Sequence, residues 1–105
     1  MGHTVILVPG EGVISVLVPA MPGCFSVGRT REEALAHAQK AIKGWIETEA
    51  EHGRAPLAET PAIVTAGVAQ ALEIIDEMRQ AGEEPVQQGY TLEVATVETP
   101  YPVLA

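Results

Sequence analysis

Val16-Leu17-Val18-Pro19-Ala20-Met21-Pro22-Gly23-Cys24-Phe25-Ser26-Val27-Gly28-Arg29-Thr30-Arg31-Glu32-Glu33-Ala34-Leu35 packs a strand end, a turn, a second strand and a helix start into twenty residues. Val16 to Val18 is an apolar run that Pro19 stops, because proline has no N–H to give a ladder. Pro22-Gly23 fits the two central positions of a type II turn, where glycine supplies the positive φ. Cys24 to Val27 then forms a short strand, and Gly28 frees the backbone to leave the sheet. Thr30-Arg31-Glu32-Glu33 has the form of a capping box, with Thr30 accepting from the amide of Glu33 and Glu33 reaching back to the amide of Thr30.

Upstream, Thr4 to Val8 is a β-branched and apolar run, Pro9-Gly10-Glu11-Gly12 is turn chemistry, and Val13 to Val18 is a second run, which together predict a β-hairpin. The second run is apolar on both alternating faces, so it is expected to be central and covered on both sides. Downstream, Leu35, Ala38, Ile42 and Trp45 recur at steps of three and four, with Ile46 widening the stripe and Gly53 as the stop. Thr60 and Pro61 look like the N-cap and first residue of another helix. From Pro61 to Leu72 that helix carries no charge, and its apolar residues extend around most of the cylinder, which predicts burial on more than one side. Glu83 to Gly89 reads as a loop, Tyr90 to Val97 as a fourth strand, and Thr99 to Pro102 as an extended tail. The spacing therefore predicts strands over 3–8, 13–19, 24–27 and 90–98, and helices over 30–52 and 60–81. The order β-β-β-α-α-β is that of an α+β domain with a small, largely antiparallel sheet packed by helices. With 105 residues, two independent cores would each be marginal, so one domain is expected over 1–105.

Composition narrows the function. The formal net charge is -8, which argues against nucleic acid as the main partner, since that affinity rests on Lys and Arg meeting phosphates. The acids are concentrated late: Glu47 onward holds eleven, against Arg54 and Arg79. An acidic surface of this kind could steer a basic protein towards the chain. No apolar run approaches a membrane span and no leader pattern opens the chain, so a cytoplasmic location is expected. A single cysteine excludes an internal disulfide, and Cys24 with His3, His37 and His52 offers no zinc-type spacing.

The residue types that could react are poorly arranged for it. The first three strands carry no carboxylate, and Glu93 and Glu98 fall on opposite faces of the fourth. Cys24 would need a base such as His37 in an electropositive pocket; flanked by Gly23 and Phe25 at a strand start, it is read as buried packing. Arg29 and Arg31 could hold a phosphate at the helix N-terminus, but an exposed corner is the simpler reading. His37 sits one turn after Glu33 as an i to i+4 pair, and His3 and His52 are expected to be exposed. Trp45 is read as core packing, and Gly10-Glu11-Gly12 as a turn. No catalytic residue, metal ligand or cofactor is assigned. The surplus of apolar surface instead implies self-association or a protein partner.

The stretch from Val16 to Ile42 closely resembles the HicB-like antitoxin family: a strand, Pro19, two variable residues, Pro22-Gly23-Cys24, then Gly28, Thr30 and Glu32-Glu33-Ala34 leading a helix with a late Trp. Pro19, Pro22, Gly23, Cys24, Gly28, Thr30, Glu33 and Ala34 are the motif residues, and their role is read as structural. The likeness covers Thr4 to Gly53 and resumes in the last strand. It implies a sheet domain like a reduced ribonuclease H fold without catalytic carboxylates. It also implies a protein that neutralises HicA, a small basic ribonuclease, by binding it and blocking its active-site histidine. Many members are dimers or tetramers that repress their own operon through a C-terminal DNA-binding segment. This chain departs there, since its second helix precedes the last strand and its short tail holds no Lys or Arg, so DNA binding is not expected.

Two roles follow. The first is an antitoxin, a non-catalytic module whose toxin-facing acids would include Glu47, Glu51, Glu83 and Glu84. The second is an orphan homo-oligomer without a toxin, joined through the uncharged helix at Ile63, Val64, Val68, Leu72 and Ile75.

Overall fold

The computed structural model describes residues 2–82 and 92–102. Its elements run β1 (Gly2–Pro9), β2 (Ile14–Leu17), β3 (Phe25–Gly28), α1 (Arg31–Glu51), α2 (Pro61–Gln80) and β4 (Glu93–Glu98). The order is the expected β-β-β-α-α-β, an α+β fold. All neighbours in the four-stranded sheet are antiparallel, in the order β3-β2-β1-β4. β2 is shorter than its apolar run because Val18 to Cys24 turns twice: Met21 N–H donates to Val18 O at 3.0 Å and Cys24 N–H to Met21 O at 2.9 Å. Tyr90 and Thr91, expected at the start of the last strand, lie outside the described residues.

The strand buried on both faces is β1, not β2. Val5 and Leu7 enter a core under α1 with Val16, Met21, Ala38 and Ile42. Ile6 and Val8 enter a second core under α2 with Ala71 and Ile75. β2 has strands on both edges but is covered less completely, because α2, the one helix on the second face among the described residues, lies over β1 and reaches β2 just at Leu17. For the same reason α2 is buried on one side only, and Leu72 stands 54% exposed.

Side-chain bonds fix the ends of these elements. Thr30 Oγ1 accepts from the Glu33 amide at 3.1 Å, as a cap should. The return bond from Glu33 goes to the amide of Arg29 at 3.3 Å rather than to that of Thr30. Thr60 caps α2 by accepting from Ile63 N–H at 3.2 Å, with Pro61 at the first position. β2 ends opposite Ile6, which would leave Thr4 of β1 short of a partner on that edge. Glu59, in the α1–α2 connection, supplies it by accepting from the Thr4 N–H at 2.7 Å and hydroxyl at 3.1 Å. No helix among the described residues is long and apolar enough to cross a membrane.

Candidate functional site

The motif residues converge where β2, β3 and α1 meet. Gly23 has φ +83°, the value a type II turn needs after Pro22. The Pro22 carbonyl accepts from Trp45 Nε1–H at 3.0 Å, so the late tryptophan of α1 clamps the turn while its ring packs, half-buried, on the first core. The Ala20 carbonyl accepts from Leu57 N–H at 2.6 Å. Gly28 lies against the start of α1: a Cβ there would collide with the Ala34 amide and stand 2.7 Å from its Cα. Ser26, on the same face of β3, donates from Oγ to the Ala34 carbonyl at 3.1 Å. These residues hold backbone to backbone.

The groups with reactive potential are occupied in the same way. Cys24 is 6% exposed, and burial pushes its thiol up to about 11, so it is protonated near neutral pH. His37 is held by its ring, Nδ1 lying 2.7 Å from the Val27 carbonyl; with a carbonyl as acceptor, that nitrogen donates. The contact ties α1 to β3, where an i to i+4 pairing with Glu33 was expected. His3 corrects another expectation. It is 2% exposed, with Nε2 at 2.8 Å from Thr99 Oγ1, because β1 carries it opposite Val97 and the chain after β4 folds beside it. His52 is exposed, its Nδ1 bonded to the Thr48 carbonyl at 3.0 Å.

Charges divide between elements. Arg31 grips Glu93 of β4 through Nε at 2.9 Å and Nη2 at 2.5 Å, and this hydrogen bond and charge hold the Glu93 carboxyl below its usual range. Arg31 is thus committed to the sheet, while Arg29 is exposed. Arg54 pairs with Glu49. Among the expected toxin-facing acids, Glu47 and Glu51 are exposed on α1. Glu47 Oε1 also accepts from the Tyr101 hydroxyl at 3.1 Å. Glu83 and Glu84 lie outside the described residues. Among the described residues no group of three or more His, Cys, Asp or Glu could hold a metal ion.

The expected interface residues of α2 do not share one fate. Ile75 is 5% exposed in the second core, and Val68 packs against that core. Ile63 and Val64 are half-buried, and only Leu72 faces solvent. Beside the helix runs an open groove of about 270 Å³, lined by Leu17, Pro19, Phe25, Leu57, Ile63 and Ala66 among others. Phe25 and Leu57 carry its outer wall. Sequence reasoning had not singled them out, although the alternation of large Phe25 and Val27 with small Ser26 and Gly28 was a signal that the small side faces a helix.

Comparison with known families decides what this scaffold is. The model described as HicB_like antitoxin of bacterial toxin-antitoxin system matches residues 4–73. The chain belongs to the HicB-like antitoxin family. The match runs past the Gly53 limit of the motif reading and takes in the linker and more than half of α2, so that part of the helix lies within the family pattern. The chain is also similar to the UPF0150 protein Ta0767 of Thermoplasma acidophilum, 45% identical over 53 residues, which is 50% of this chain and 77% of that protein. No solved structure matches it.

Proposed function

We propose that the chain is an antitoxin module that neutralises a small basic ribonuclease of the HicA type by binding it directly. Family membership supports a protein partner; the charge distribution supports a basic one. The observation that carries the reading is the exposed acid on both helices, Glu47 and Glu51 on α1 and Glu73, Asp76 and Glu77 on α2, in a chain of net charge -8. Such a field raises the association rate of a basic partner more than the final affinity. Binding rather than catalysis is supported by the placement of the reactive groups, with Cys24 and His3 buried and His37 bonded to backbone. The expected outcome is that the chain co-purifies with a small basic protein encoded next to it and that binding weakens as salt rises. A soluble neighbour that fails to bind at low salt would reject the proposal.

A second reading, an orphan homo-oligomer that kept the domain without a toxin, is favoured by the exposure of Leu72 on a helix that is uncharged from Pro61 to Leu72. Sedimentation of the isolated chain tests it, and a monomer at micromolar concentration would end it.

A further inference from the structure

In an antiparallel ladder, successive residues turn their backbone N–H and C=O to one neighbouring strand and then to the other. Thr4 points its N–H to the β2 side of β1, where Glu59 accepts it, so Thr4, Ile6 and Val8 face β2 while His3, Val5 and Leu7 face β4. By the register, Val97, Ala95 and Glu93 return those bonds, and Val94 and Thr96 turn their backbone outward. The same alternation, carried through β2, turns Phe25 and Val27 outward at the other edge of the sheet. α1 closes one carbonyl on each edge: His37 Nδ1 donates to Val27 O at 2.7 Å, and Gln39 Nε2 to Glu98 O at 2.7 Å. Between that plug and Glu93, the N–H and C=O of Val94 and of Thr96 have no partner among the described residues. β4 is six residues long against four for β3, and it carries none of the Pro, Lys or bulge that usually blunts an edge.

Grooves flank this open edge on both faces. Between β4 and α1 lies one of about 230 Å³, lined by Leu35, Ala36, Gln39, Thr96, Val97 and Glu98. On the α2 side lies one of about 320 Å³, lined by Leu72, Ile75, Asp76, Arg79 and Leu92, and Val94 stands 53% exposed on that same face, in register with Ile6 of the second core. A strand added here sends alternate side chains to opposite faces, and each set meets a groove. Main-chain bonds then hold the strand, and its alternate side chains select it. Charge identifies the occupant: exposed Glu73, Asp76 and Glu77 follow Leu72 on α2, with Arg79 the one cation of that helix. We propose that the β4 edge takes up an extended segment of the basic partner, with Lys or Arg on its α2 side and small apolar residues on its α1 side. The stem of such a cation lies along Val94 and Leu72 and brings its charge to Asp76. The same acids disfavour a second copy of the chain at this edge, since each copy has net charge -8. The inference rests on the antitoxin reading above and adds how the partner is held.

The test is amide hydrogen exchange, read by NMR on the full chain alone and in complex with the small basic protein encoded beside it. The Val94 and Thr96 amides exchange freely in the chain alone and slow by about tenfold or more in the complex. Thr96→Pro removes an outward N–H from an edge strand, where proline is tolerated. It keeps the circular dichroism spectrum and weakens the complex by about tenfold, because it leaves a carbonyl of the partner strand without its donor. Thr96→Ala keeps the backbone group and binds as wild type does. Should Thr96→Pro not fold, exchange on the wild type decides alone. A complex in which both amides still exchange freely, or a folded Thr96→Pro that binds like wild type, overturns the edge pairing and leaves the antitoxin reading standing. Protection of these amides in the chain alone, rising with its concentration, gives the edge to a second copy and likewise overturns the pairing. A soluble neighbour that forms no complex at low salt overturns both.

Discussion

At the scale of single residues, two glycines separate steric need from mere presence. Gly28→Ala puts a methyl group into the backbone of Ala34 and is expected to cost about 1–3 kcal/mol. Gly44→Ala, inside α1 with nothing within 4 Å of the added atom, is expected to gain about 0.5–1 kcal/mol. Urea denaturation of the two variants measures both, and opposite signs are the expected result. Cys24 gives a pH dependence. Its folded thiol is held near 11 against an ordinary 9.0, so the folded state keeps its proton longer than the unfolded chain. Stability is then fully present below the unfolded value and is lost as pH rises from 9 towards 11, by about 1–2 kcal/mol given partial solvent contact. Cys24→Ala should lack that fall when both are melted across this window. The cap at Thr30 and the turn at Pro22-Gly23 were legible in the sequence because they are local. The burial of His3 was not: its partner Thr99 arrives only through the register of β1 with β4, which no local pattern encodes.

Elements show where pattern reading succeeds and where it reaches its limit. The start signals of both helices correspond to the observed N-caps, Thr30 and Thr60. The apolar girth of α2 was legible too, but not how it is shared. Val68 and Ile75 are spent on the subunit's own second core, which leaves Leu72 and the small residues outside. Val68→Asp is therefore expected to lower subunit stability by about 2 kcal/mol, whereas Phe25→Asp changes it little. Thermal melts at equal concentration distinguish the two. The reversal in the sheet has the same origin. β1 and β2 are both apolar on both faces, and only the seating of α2 over β1 decides which of them is covered twice. That seating depends on Glu59 and Leu57 of the connection, which bond to Thr4 and Ala20 on distant segments.

For the whole molecule, family, charge and exposed surface all support the proposed reading, an acidic module that acts by binding. The sheet separates two surfaces: the α1 side carries Glu47 and Glu51 and, among the described residues, no large exposed apolar side chain, and the α2 side carries the apolar surplus beside uncharged segments, with Glu73, Asp76 and Glu77 farther along α2. The excess of late acids was plain from composition. The placing of the apolar surplus on one face needed the fold, because alternation along β3 and rotation around α2 place neighbours in sequence on opposite sides. The central claim, that the chain neutralises a toxic protein by binding it, predicts a small basic protein encoded beside it and is tested most directly by growth of cells expressing that neighbour, with and without this chain. Arrest by the neighbour alone and recovery when both are made is the predicted result. Arrest that persists while both proteins are soluble and abundant would contradict it.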